Sequence, residues 1–180
     1  MGTPFIRFKF AAQKAHDALH WMVQQRERVD LHTAMKACYF ADVEHLNKYG
    51  RPIFGANYRA MRYGPVPIEI YEMAKAEPYW LAELGQATVP WTLTGYHLVA
   101  RNRANPETRS LSRSDMAALE EGFRRASSMT FDQRTAATHG PDWERAALGW
   151  MSYEDMVRAD NPAREEIIAD LRDSARFLVL

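Results

Sequence analysis

Two histidines stand one helical turn apart in the run His16-Asp17-Ala18-Leu19-His20. On a helix, that i, i+4 spacing puts both imidazoles on one face, where they can share a metal ion. The motif that does so carries a Glu as its base. Asp17 is one methylene shorter, and no third ligand is identifiable by spacing. A metal-dependent hydrolase built on His16, Asp17 and His20 is the alternative reading. The main reading has both histidines bordering an apolar face, with no metal, no cofactor and no catalytic role. Cys38 and His45 make a second pair to weigh as thiol and base. Seven helical residues separate them by about 10.5 Å along the axis, too far for direct proton transfer. Cys38 reads as a small buried apolar residue. No nucleophile elbow, phosphate-binding loop or dinucleotide fingerprint occurs in the chain, so the protein reads as a non-enzyme.

Asp42 is the most informative carboxylate. At 100° per residue it falls among Met35, Cys38, Tyr39 and Leu46, inside an apolar stripe. An unpaired charge there costs several kcal/mol, so it must find donors. The segment Tyr58-Arg59-Ala60-Met61-Arg62-Tyr63 supplies Tyr and Arg. Asp42 is therefore expected to be a structural pin between a helix and a hairpin rather than a catalytic acid. The middle third of the chain gathers Tyr58, Tyr63, Tyr71, Tyr79, Trp80, Trp91 and Tyr96. Tyr, Trp and Arg are the types enriched at interface hot spots. Arg59, Arg62, Tyr71, Tyr79 and Trp80 are the candidate partner-binding residues. Arg101, Arg103, Arg109 and Arg113 make a locally basic loop without interleaved aromatics, so it lacks the stacking platform of single-strand binders.

These residues need elements to position them. Apolar spacing predicts a helix from Phe8 to Glu27, and a second from Asp30 or His32 to Tyr49, closed by Gly50. Arg51–Tyr63 reads as a hairpin or extended arm, followed by a rigid turn, Gly64-Pro65-Val66-Pro67. Pro67 then opens a helix through Lys75. Pro78 allows a short element over Tyr79–Leu84. Thr88–Val99 reads as an edge or bent strand, weakened by Pro90 and Gly95. Ser112 to Asp115 resembles a capping box before a helix, and Thr130 with Gln133 caps another. Asn161 and Pro162 open a last helix whose stripe runs to Leu178. The expected fold class is α+β, mainly α-helical, a single domain over residues 1–180 with a small antiparallel β hairpin or sheet.

Composition agrees. A chain of 180 residues with 47% hydrophobic and 26% charged residues can bury roughly 70% of its unfolded surface without disulfide or metal staples. The 23 Lys+Arg balance 23 Asp+Glu, which argues against nucleic-acid binding through general positive charge. With one cysteine, no intrachain disulfide forms. No apolar run approaches about 18 residues, and Met1–Arg7 shows neither a leader's apolar region nor a myristoylation site, since Ile6 stands where Ser or Thr is needed. A cytoplasmic protein is expected.

The run Lys36–Gly50, then Pro52-Ile53-Phe54-Gly55, then Tyr58-Arg59-Ala60-Met61-Arg62-Tyr63-Gly64-Pro65-Val66, resembles the early motifs of Panacea-domain proteins, which include the SocA-like antitoxins. The resemblance returns at His139-Gly140-Pro141-Asp142-Trp143 and is thinnest between about Glu77 and Ser110. It implies a non-enzymatic antitoxin that binds a cognate toxin directly. In SocA-type members it also implies an adaptor that hands the toxin to a ClpXP-type protease. A DNA-binding regulator using a helical pair is a further class, marked by strongly salt-dependent duplex binding.

Overall fold

The structure, a computed structural model, describes residues 5–180. Met1–Pro4, on which part of the expectation about a leader or lipid rests, lie outside the described residues. Among the described residues, no helix is long and apolar enough to cross a membrane. The fold is mainly helical α+β, with two small antiparallel sheets.

Helix α1 (Ala12–Gln25) buries Ala15, Leu19, Met22 and Val23, the stripe predicted by spacing. It begins four residues later than expected. Phe8 and Phe10 are engaged elsewhere, edge-on to Tyr153 and Trp80 at 4.8 and 4.9 Å. The Ala11 N–H donates to the Phe54 carbonyl at 2.8 Å, which holds this segment extended.

Helix α2 (Leu31–Tyr49) is the centre of the molecule. The Asp30 carboxylate caps it by accepting from the Thr33 N–H at 2.9 Å. Gly50 closes it in the left-handed region at φ 72°. Nearly every face is covered, from Ala34 and Ala37 through Phe40 and Asp42. The closest neighbour is α5 (Arg113–Ser127). The backbones meet at Gly122, where a Cβ would stand 2.6 Å from the Ala37 oxygen and 3.0 Å from the Ala41 nitrogen. Glycine and the small alanines opposite it allow that approach.

A short strand β1 (Val29–Asp30) precedes α2. Strands β2 (Tyr58–Met61) and β3 (Gly64–Pro67) form a hairpin, with Tyr58 opposite Pro67 and Met61 opposite Gly64. The expected turn at Gly64–Pro67 is thus a strand, and the real turn is Arg62-Tyr63. Two prolines suit an edge strand, because only one side of β3 is paired. Helix α3 (Ile68–Ala74) begins one residue after Pro67, which serves as its N-cap residue. Helix α4 (Pro78–Leu84) follows. The expected Thr88–Val99 strand is a second hairpin, β4 (Trp91–Thr94) and β5 (His97–Ala100). Gly95 takes φ 61° at the first turn position, the conformation a tight II′-type hairpin requires. With β1, these strands form a sheet in the order β1-β5-β4.

Capping boxes at Ser112/Asp115 and Thr130/Gln133 start α5 and α6 (Phe131–Ala137) as predicted. Helices α7 (Pro141–Ala146) and α8 (Tyr153–Met156) are short. Helix α9 (Arg164–Ser174) begins three residues beyond Asn161, whose side chain accepts from the Ala163 N–H in the preceding turn at 3.0 Å. It ends in a single 3₁₀ turn, Ala175–Phe177, before Leu178.

Candidate functional site

Strand β2 alternates: Tyr58 and Ala60 face inward, Arg59 and Met61 outward. Helix α2 grips the hairpin along its length. The His32 Nε2–H donates to the Tyr63 carbonyl at 3.1 Å, and its Nδ1 accepts from Arg134 Nε at 3.0 Å. Burial and the nearby Lys36 and Arg134 charges push His32 down to about 4, so it is neutral as this bonding requires. One turn on, the Lys36 ammonium donates to the Pro65 carbonyl at 2.8 Å. Lys36 is 1% exposed and has no carboxylate partner among the described residues; burial, with the Arg134 charge, pushes it down to about 7.

Asp42 grips the base of the hairpin. It is fully buried; Oδ1 accepts from the Ile53 and Phe54 amides at 2.7 and 3.2 Å, and Oδ2 from the Tyr58 hydroxyl at 2.9 Å. The donors are Tyr58 and two amides, not the arginines the sequence offered. Burial outweighs these bonds and pushes the carboxyl up to about 7.

The far edge of β2 is covered by the loop after α7. The Ala60 N–H donates to the Gly149 carbonyl and the Met151 N–H to the Tyr58 carbonyl, both at 2.9 Å. Trp150 lies opposite Arg59. This loop holds Ala147 and Leu148 at φ 48° and 64°, a region that costs such residues roughly 1–3 kcal/mol each. It leaves Leu148 and Trp150 at least half exposed. The Arg59 guanidinium sits 5.9 Å from the Trp150 ring centroid, and that of Arg62 5.3 Å from Tyr63. Tyr63 stands edge-on to Phe131 at 5.1 Å. One exposed face thus joins Arg59, Met61, Arg62, Tyr63, Phe131 and Trp150. Phe131 and Trp150 carry no interface signal in sequence, because each stands outside the aromatic-rich middle.

The other candidates lie apart from these. Tyr71 and Tyr79 line a cleft between α3 and α4, and both are exposed. Trp80 is buried at 9% exposure, its indole N–H donating to Glu72 at 2.9 Å and its ring packed on Phe10. That placement corrects Trp80 as a surface anchor; it is the support against which Tyr79 stacks edge-on at 4.9 Å.

His16, Asp17 and His20 line a cleft of about 540 Å³. Asp17 is taken up by Gln13 and Ser110, which donate at 2.8 and 2.6 Å. Among the described residues, no group of three or more His, Cys, Asp or Glu side chains is placed to hold a metal ion. Cys38 is fully buried and its thiol is pushed well up by that burial and by Asp42.

In the sequence, Asp115 carries only the signal of a capping residue. It is fully buried and accepts from Lys14 at 2.7 Å, Arg51 at 3.3 Å and the Ser112 N–H at 3.0 Å. Burial would raise its carboxyl; the Lys14 bond leads the contacts that bring it below the usual range. His45, beside it, donates Nδ1–H to the Arg51 carbonyl at 2.8 Å, and its Nε2 lies 3.0 Å from the Ser114 hydroxyl and 3.2 Å from Asp115 Oδ1; burial leads the influences that lower it from the ordinary imidazole value.

The segment His139–Trp143 reaches the same assembly. The Tyr39 hydroxyl donates to Asp142 at 2.6 Å, and the Trp143 indole donates to the Met61 carbonyl at 2.9 Å. His139 stacks on Trp143 at 3.7 Å. The segments singled out by sequence therefore meet: α2, the Pro52–Gly55 stretch bonded to Asp42, the β2–β3 hairpin and the start of α7. Residues 35–144, more than half of the chain, match the family model described as antitoxin SocA-like, Panacea domain. The chain belongs to the SocA-like Panacea family. The bounds of the match enclose the stretch from Glu77 to Ser110, where the motifs are thinnest. No curated protein and no solved structure gave a significant match. The matched region holds α2 from Met35 onward, the Lys36 and Asp42 bonds to the hairpin and the contact with α5.

Proposed function

We propose that this protein is an antitoxin that neutralises a cognate toxin by binding it directly, without catalysis. The match of residues 35–144 to an antitoxin family carries this reading. The exposed aromatic and arginine face on the hairpin supports it, as does the clamping of that face from α2. A surface held rigid before contact loses little entropy on binding. The whole chain, 1–180, acts as one domain in the cytoplasm. Arg59 and Arg62, with Tyr63 and Trp150 beside them, are the anchors on one face; Tyr71 and Tyr79 extend the contact at the α3–α4 cleft. A specific interface needs about 800 Å² from each partner. Asp42 serves as the pin that fixes the hairpin. Delivery of the bound toxin to a ClpXP-type protease, with this protein as adaptor, is the finer form of the same proposal.

The test is affinity for the protein encoded beside this gene. Arg59→Ala and Trp150→Ala should each weaken binding by about 2 kcal/mol, roughly 30-fold, with unchanged melting temperature. Absence of any binding by the wild-type protein overturns the reading. One tightly held zinc per chain, lost in His16→Ala, would favour the hydrolase instead.

A further inference from the structure

A cleft of about 560 Å³ opens between α2, α7 and the connection from α8 to α9. Four arginines line it against two aspartates, Asp142 and Asp155. Three of the four are engaged. Arg145 pairs with Asp155 at 2.8 Å, Arg158 pairs with Glu44 at 2.9 Å, and Arg164 donates to the Val157 and Glu154 carbonyls. The Arg125 guanidinium makes no ion pair or hydrogen bond among the described residues. Its guanidinium carbon stands 4.0 Å from the centroid of the buried Phe40 ring. Below it, Phe40, Val43, Met156 and Val157 give the cleft an apolar floor.

We propose that this cleft is a second contact site for the toxin, and that it receives an acidic segment in which a carboxylate is flanked by apolar side chains. This rests on the antitoxin reading and specifies the partner's chemistry. Arg125 is a charged fork with unspent donors, already placed over Phe40, and such a fork matches a carboxylate in two parallel hydrogen bonds. The apolar floor takes the neighbouring side chains. A nucleic-acid strand fits less well: Arg125 already covers the Phe40 ring, and Tyr39, the other aromatic in the lining, is buried with its hydroxyl bonded to Asp142, so neither ring offers a base a free face. The site is continuous with the hairpin face through α7. On one side of that helix Trp143 bonds the Met61 carbonyl, and on the other Asp142 and Arg145 line the cleft. One partner can therefore cover both.

The experiment is calorimetric titration of the full-length protein with the neighbouring gene product, at low and moderate salt. Arg125→Gln keeps a planar group over Phe40 and removes the charge; Arg125→Glu reverses it. Arg176→Glu makes the same charge change outside the cleft. The proposal expects Kd to rise roughly 10-fold in Arg125→Gln and further in Arg125→Glu, with Arg176→Glu close to wild type. The wild-type affinity should fall with salt, and less so in Arg125→Gln. If Arg125→Gln melts as wild type does and binds the toxin equally well, the cleft proposal is overturned while the antitoxin reading stands. If the wild-type protein binds no toxin, both fall. A DNA oligonucleotide that binds the protein in an Arg125-dependent way would replace the acidic segment as occupant and overturn the proposal.

Discussion

Replacing Asp42 tests the grip of α2 on the hairpin. In Asp42→Ala, three buried donors lose their acceptor: the Ile53 and Phe54 amides and the Tyr58 hydroxyl. Each unsatisfied buried group costs about 1–3 kcal/mol, and the losses are not additive, so about 3–5 kcal/mol is expected in all. Asp42→Asn separates geometry from charge. Its carbonyl still accepts from the two amides, and its amide can donate to the Tyr58 oxygen. The pH dependence then isolates the ionisation. The folded-state value is raised from 3.8 to about 7, so between these values the folded protein holds a proton that the unfolded chain has released. This contribution to stability is full below about pH 4, declines as pH rises and is lost above about pH 7. At 1.36 kcal/mol per pH unit it amounts to about 4 kcal/mol. Urea unfolding of wild type and Asp42→Asn from pH 4 to pH 8 gives the difference directly, since other titrating groups cancel. Asp42→Asn should gain about 4 kcal/mol on wild type across that range. A difference that stays flat, or moves the other way, refutes the raised carboxyl. A melting temperature unchanged in Asp42→Ala refutes the pin.

Two further perturbations probe the scaffold. Lys36 is buried with a folded-state value pushed down to about 7 against an ordinary 10.5, so its contribution is present above about pH 10 and lost as pH falls through 7. Lys36→Met should therefore raise stability at pH 6 and lose that advantage by pH 10; equal effects at both, measured by denaturant unfolding, would contradict the buried amine. Gly122→Ala should destabilise by roughly 1–3 kcal/mol, because the new Cβ meets the Ala37 carbonyl at 2.6 Å and overpacking outweighs alanine's helix preference of about 1 kcal/mol. A rise in melting temperature would show that α2 and α5 do not touch there.

Local signals in the chain were legible where the physics is local. Asp30, Gly50, Ser112 and Thr130 terminate or start helices through bonds within a few residues, and Asp42 betrayed its burial by its place in the stripe. The segment Gly64–Pro67 misled because two prolines usually mark a turn, whereas here one unpaired strand edge tolerates them. Asp115 was illegible as a buried hub: Lys14 and Arg51 come from 101 and 64 residues away, and no periodicity in α5 announces them. The outer face was half legible. Arg59 and Arg62 lie within the recognisable hairpin, but Trp150 joins them only because its loop pairs with the β2 edge. Trp80 looked like an interface aromatic by type, yet Phe10 and Glu72 draw it inward.

The central claim, neutralisation by direct binding, is tested most directly in living cells. The neighbouring gene's product is expressed alone and together with this protein, in strains with and without the ClpXP-type protease. The account predicts that growth is rescued on co-expression and that Arg59→Ala or Trp150→Ala weakens the rescue. Rescue in both strains means that occlusion suffices; rescue only with the protease, with falling toxin levels, means delivery. Failure to bind the neighbouring product, with no relief of its toxicity in either strain, contradicts the account.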